Sequence, residues 1–110
     1  MYIEITLEKD SNNQILEIYS KNGIYLDTSI NTLYINGKKI FLNSFESMIM
    51  ECLIRSDTYC KKEDLIHCLN FSLKEKCLIM IISRLKKKIK YTTGYTIIRN
   101  RYKKGYYIDS

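Results

Sequence analysis

The 110-residue chain contains no proline, tryptophan, alanine or valine, and its only histidine is His67. Its longest unbroken apolar run is six residues, 77–82, whereas a membrane-spanning helix needs about eighteen or more. The first residues show no basic segment followed by an apolar stretch, which a secretory signal would have. We therefore expect a cytoplasmic protein that reaches a membrane only if a partner or a missing segment anchors it.

The cysteine and histidine pattern does not favour metal binding or catalysis. The four cysteines, at positions 52, 60, 68 and 77, lie too far apart for the C-x-x-C spacing of metal sites. We expect them to be reduced and buried on separate elements as small apolar residues, with a redox sensor as the alternative. His67 points away from Cys68 on a helix, so no thiolate–base pair is expected. The sequence predicts no enzyme, no cofactor, no metal and no small-molecule ligand.

The charge is distributed unevenly within a chain that has the length of a single domain, 1–110. Residues 1–58 carry a net charge of −3, whereas residues 59–110 carry +9. Such asymmetry indicates a polyanionic partner.

Residues 1–42 predict an antiparallel sheet of three to five strands. Alternating apolar and polar residues, rich in β-branched and aromatic side chains, are typical of strands. Asn36-Gly37 favours a tight hairpin, because both residues tolerate a positive φ. The assigned strands are 2–8, 14–19, 33–35 and 39–42.

Residues 43–90 predict three helices, at about 44–56, 61–69 and 73–90. Asn43 with Glu46 forms a capping box for the first helix, and Ser72 with Glu75 has the same spacing before the third. Five residues of the third helix form one apolar stripe that faces the core: Leu78, Ile81, Ile82, Leu85 and Ile89.

The opposite side of the third helix and the hairpin that follows it are basic. The helix residues on or beside this face are Lys76, Ile79, Met80, Ser83, Arg84, Lys86, Lys87 and Lys90. The helix macrodipole also favours cations such as 86–88 near the C-terminal end, but it does not account for Lys76. Residues 91–110 form a hairpin of strands 95–99 and 106–108, with a tip made of Asn100, Arg101, Tyr102, Lys103 and Lys104. Double-stranded DNA fits this pair of elements, with the helix in the major groove and the tip on the backbone or minor groove.

The order of elements resembles the OmpR/PhoB-type winged-helix DNA-binding domain of bacterial response regulators. Four segments carry the resemblance in the right order: 42–46, 62–66, 82–89 and 105–108. Tyr102 to Tyr106 is most similar to the wing of the ToxR/CadC-like branch.

This resemblance implies an α+β winged helix-turn-helix and sequence-specific DNA binding by a bacterial transcription regulator. It places Lys76, Ser83, Arg84 and Lys86 at bases and phosphates, and residues 101–104 at the wing tip. The 70–72 loop is shorter than the family loop that contacts RNA polymerase in some members. RNA polymerase, a second regulator and a second copy of the chain remain open as further partners.

Two questions stay open at this stage. Ile79 and Met80 either pack on thymine methyl groups, beside Ser83 and Arg84 at polar base edges, or are buried against the N-terminal sheet or a dimer partner. The alternative function is a winged-helix interaction module that has lost DNA binding and modulates another regulator.

Overall fold

The computed structural model describes residues 2–9, 14–21, 23–56, 58–69 and 73–109. Its elements follow the predicted order of sheet, three helices and terminal hairpin. They are β1 (Tyr2–Lys9), β2 (Gln14–Lys21), β3 (Ile24–Asp27), β4 (Thr32–Ile35), β5 (Lys38–Phe41), α1 (Ser44–Arg55), α2 (Lys62–Leu69), α3 (Glu75–Thr93), β6 (Ile98–Arg101) and β7 (Gly105–Ile108).

The five N-terminal strands pair in sequence order, each antiparallel to the next. Between β4 and β5, Asn36 and Gly37 have φ angles of 50° and 78°, as the predicted hairpin requires. The sheet has the predicted range of strands and includes β3, which the sequence pattern did not assign. The predicted turn at residues 10–13 lies outside the described residues.

The predicted capping box of α1 is present. The Asn43 side chain accepts from the Glu46 amide at 2.8 Å, and the Glu46 side chain accepts from the Asn43 amide at 2.9 Å. The backbone amides of Asn43 and Glu46 thereby gain the acceptors that the start of a helix does not itself provide. This junction fixes the direction in which α1 leaves the sheet.

The start and the end of α3 differ from the prediction. The helix begins at Glu75, two residues later than predicted, with Lys74 as its N-cap and no side-chain cap. The predicted capping box rests on Ser72, which lies outside the described residues. The helix continues three residues beyond 90, because its C-terminal amide–carbonyl bonding is completed at Gly94, a left-handed residue whose N–H donates to the Lys90 carbonyl at 2.8 Å.

The core lies between the sheet and the helices. Four residues of the predicted α3 stripe are buried, namely Leu78, Ile82, Leu85 and Ile89, while Ile81 is half-buried at its edge. From α2, Leu65 reaches the same core and is fully buried. Because this one stripe packs inward, the rest of the α3 surface faces outward.

The cysteines lie on separate elements, as predicted, but they are not all buried. Cys60 is buried and Cys52 is half-buried, whereas Cys68 and Cys77 are exposed. The prediction of four buried thiols was therefore wrong for Cys68 on α2 and for Cys77 on α3. No helix in the described ranges is long and apolar enough to cross a membrane.

Candidate nucleic-acid interface

The outward side of α3 carries the helix residues predicted for the site. Seven of them are exposed, and Lys86 is half-buried at the border with the core. A helix of this length, 19 residues, extends about 28 Å. The exposed surface is therefore long enough to present side chains over several successive turns.

The wing follows α3 as the hairpin of β6 and β7. Its strands pair from Ile98↔Ile108 to Arg101↔Gly105, and the two isoleucines are buried in the core. The strand begins at Ile98 and not at Tyr95 as predicted, because the Tyr95 amide donates to the Thr93 hydroxyl at 3.1 Å instead of to a strand. All five residues predicted for the tip, 100–104, are exposed, but Asn100 and Arg101 belong to strand β6, so the turn itself is 102–104.

A close backbone approach attaches the wing to Cys60, two residues before the start of α2. The amide of Cys60 donates to the Tyr106 carbonyl and the amide of Tyr106 donates to the Cys60 carbonyl, both at 2.8 Å. Gly105 makes this approach sterically feasible: a Cβ there would lie 2.6 Å from the Cys60 carbonyl oxygen, and its φ is +122°. Only glycine readily occupies such a position.

The helix and the wing enclose an open groove of about 390 Å³. Its lining includes Ile79, Ser83, Lys86, Lys87 and Lys90 from α3 and Asn100 from the wing. Six predicted site residues therefore come together there. Lys76, Met80 and Arg84 lie on the exposed helix surface outside this groove.

A second open groove, of about 500 Å³, separates the wing from the beginning of α2. Wing residues 100–104 line one side of this groove, and Lys61 and Lys62 line the other side. Lys62 donates to Glu75, and this carboxylate raises the pKa of its ammonium group. The sequence pattern did not single out Lys61, because its proximity to the wing depends on the Cys60–Tyr106 pairing.

The predicted cations of this face have no ion-pair partner among the described residues. They number eight: Lys76, Arg84, Lys86, Lys87, Lys90, Arg101, Lys103 and Lys104. Within the described ranges, the ion pairs use other cations, namely Arg55, Lys62, Lys88 and Arg99. Lys103 lies over the ring of its neighbour Tyr102, 5.5 Å from the centroid, while 84% of Tyr102 is exposed.

The alternative burial of Ile79 and Met80 against the N-terminal sheet does not occur. Their side chains are 47% and 49% exposed. They are among the large apolar side chains of the described surface, and they share their helix face with the cations.

Metal binding has no candidate in this region or elsewhere among the described residues, since no group of three or more histidine, cysteine, aspartate or glutamate residues could hold an ion.

No protein-family model matches the chain, and no curated protein sequence matches it. Solved structures are similar to it in fold. The DNA-binding domain of response regulator AdeR, in complex with an intercistronic region, has 24% identity and a TM-score of 0.70 over 83% of this chain and 98% of that one. The C-terminal domain of the nisin resistance regulator NsrR, a lantibiotic response regulator, has 26% identity and a TM-score of 0.68 over 83% and 96% of the two chains.

A third similar structure is DrrB, an OmpR/PhoB homologue from Thermotoga maritima, with 20% identity and a TM-score of 0.67. The match covers 84% of this chain and 44% of DrrB. These similarities confirm the predicted α+β winged-helix fold and the resemblance to the DNA-binding domains of OmpR/PhoB-type response regulators.

Proposed function

We propose that the chain is a DNA-binding domain of a transcription regulator and that it binds double-stranded DNA through α3 and the wing. The observation that carries this proposal is a set of eight cations on the outward side of α3 and on the wing, none with an acidic partner among the described side chains. Three of them, Lys86, Lys87 and Lys90, line the groove between these elements. Phosphate groups are the ligands such a face would attract, with release of counterions. The similar AdeR domain is in complex with an intercistronic region.

The dimensions of α3 suit the major groove of B-DNA. A helix with its side chains is about 10–12 Å wide, and the major groove is about 12 Å wide. Only the outward side of α3 is available for this contact, because Leu78, Ile82, Leu85 and Ile89 are buried. The wing borders the groove next to α3 on the protein. With α3 in the major groove, the wing would contact the adjacent DNA backbone or minor groove.

The proposed roles follow from the chemistry of each side chain. Four lysines would contact phosphates, since an ammonium group binds phosphate as a point charge: Lys76, Lys86, Lys87 and Lys90. Ser83 and Arg84 would reach base edges, because hydroxyl and guanidinium groups match their donor and acceptor patterns. At the wing, Asn100 and Tyr102 would lie along the sugar–phosphate backbone between contacts made by the three cations Arg101, Lys103 and Lys104.

Fluorescence anisotropy with labelled duplexes tests the proposal. A random duplex and the upstream region of the chain's own gene would be titrated between roughly 50 and 200 mM salt. We expect affinity to fall steeply with salt and to be higher for one duplex than for the other. Lys87→Glu and Lys104→Glu should each weaken binding, and the double variant should abolish it.

The control is Lys39→Glu, which changes net charge by the same amount at an exposed lysine of β5. It should leave binding nearly unchanged. If the folded protein binds no duplex at low salt, the interaction module described above replaces this proposal. If Lys39→Glu weakens binding as much as Lys87→Glu, the net charge of the domain drives DNA binding, and α3 and the wing are not a specific binding site.

A further inference from the structure

An apolar pair interrupts the cationic surface of α3. Ile79 and Met80 are 47% and 49% exposed. Residues three and four positions away are their neighbours on the helix surface, and on this surface those neighbours are Lys76, Ser83 and Arg84. The pair therefore lies between two cations, Lys76 and Arg84, and its exposed acidic neighbour Glu75 is itself paired with Lys62.

Packing within the domain does not explain this pair. The inward stripe of α3 is complete without it, since Leu78 and Ile82 occupy the same turns and are 0% and 2% exposed. Ile79 lines the groove that faces the wing, beside Ser83 and Lys87. Its apolar surface is thus directed to the place where the proposed DNA ligand would lie.

We infer that Ile79 and Met80 select thymine by packing on its C5-methyl group in the major groove. This inference rests on the proposed function and deepens it. Among the base edges of the major groove, thymine is the one that presents an apolar group. The neighbouring cations Lys76 and Arg84 favour DNA over an apolar protein partner, which would have to bury those charges without compensation.

The spacing along α3 also indicates where the thymine lies. Ile79 and Ser83 are about 6 Å apart along the helix axis, which corresponds to about two base-pair steps of DNA. Thymine read by the pair should therefore lie within one or two base pairs of the base read by Ser83 or Arg84. The substrate class is a duplex with thymine at that defined position.

Replacing thymine by deoxyuridine removes only the methyl group and leaves the hydrogen-bonding edges intact. The tightest duplex would first be selected from a random library, and each thymine would then be replaced singly. Burial of one methyl group contributes about fourfold in affinity. We expect a loss of about this size at one or two neighbouring positions and no loss elsewhere.

The double variant Ile79→Ala/Met80→Ala links that loss to the two side chains. It should bind the thymine and deoxyuridine duplexes equally, since the methyl group then has no partner. Ile30→Ala is the control, because Ile30 is an exposed isoleucine outside α3 and the wing; it should retain the fourfold difference. Thermal unfolding of each variant verifies that it is folded.

The outcomes separate this inference from the function on which it rests. Duplex binding that deoxyuridine weakens at no position would overturn thymine selection while leaving DNA binding established. A deoxyuridine effect that persists in the double variant would assign the methyl contact to other residues and would also overturn it. Absence of binding to every duplex would instead reject the proposed function.

Discussion

Lys88 joins α3 to the start of α1 through the buried carboxylate of Glu46. Its ammonium nitrogen lies 2.7 Å from Glu46 Oε1 and 3.0 Å from the Phe41 carbonyl oxygen. The Glu46 side chain is only 4% exposed and also accepts from the Asn43 amide. Of the adjacent lysines on α3, Lys88 therefore stabilises the fold, whereas Lys87 faces the groove.

Lys88→Met should consequently reduce the stability of the fold, whereas Lys87→Met should reduce DNA affinity. Lys88→Met leaves a buried carboxylate without its cation, so we expect the free energy of unfolding to fall by about 1–3 kcal/mol with little change in DNA affinity of the folded protein. Lys87→Met should reduce DNA affinity and leave stability within about 0.5 kcal/mol. Urea denaturation and anisotropy measure the two quantities, and equal effects of both variants on either quantity would contradict this division.

Gly105→Ala should detach the wing from Cys60, in the segment that precedes α2. The new Cβ would meet the Cys60 carbonyl oxygen at 2.6 Å, at a φ of +122°. We expect a loss of about 2–4 kcal/mol in unfolding free energy, together with weaker DNA binding because the wing is displaced.

Gly94→Ala distinguishes the cost of a positive φ from the cost of a steric clash. Gly94 also has a positive φ, +81°, but a Cβ there meets nothing within 4 Å. Its cost should be about 1 kcal/mol. If the two alanine variants are equally stable, steric contact with Cys60 is not what requires glycine at position 105.

The wing cations should appear in the salt dependence of DNA binding. Arg101→Gln and Lys104→Gln each remove one phosphate contact, so each should make the negative slope of log affinity against log salt shallower by about 1. Anisotropy titrations at several salt concentrations give this slope. Lys39→Gln is the control and should leave it unchanged; a uniform drop in affinity without a change of slope would argue against phosphate contacts at the wing.

The thiols should differ in reactivity. Burial, with smaller contributions from Asp64 and Cys68, raises the pKa of Cys60 to about 11, and burial likewise raises the pKa of Cys52. At pH 8 iodoacetamide should therefore modify the exposed Cys68 and Cys77 first, since the thiolate is the reactive form. Peptide mass spectrometry after timed labelling measures the order, and early labelling of Cys60 in folded protein would contradict it.

The same shift predicts a stability change at high pH. The unfolded chain loses the Cys60 proton near the ordinary value of 9.0, whereas the folded chain keeps it to about 11. The unfolded state therefore binds fewer protons over this interval, and the stability due to Cys60 is lost as the pH rises from about 9 to 11. The free energies of unfolding of the wild type and of Cys60→Ala, measured by urea denaturation at each pH, should converge over that range.

Local motifs were predicted best where both partners are close in sequence. The box of Asn43 and Glu46 formed as predicted, because its two hydrogen bonds span three residues. The start of α3 was predicted at 73, two residues before its actual start at Glu75. Glu75 accepts from Lys62 of α2, a contact between helices that spacing along the chain cannot reveal.

The sequence by itself determined the two surfaces of α3, the hairpin at Asn36-Gly37 and the basic wing tip, because helical periodicity and turn chemistry act between residues a few positions apart. The tertiary structure alone decided which cations remain available. Lys88 is directed to Glu46, 42 positions away, and the Cys60–Tyr106 pairing brings the wing beside α2. Such contacts depend on how the elements pack, so neighbouring lysines with the same local sequence environment acquire different roles.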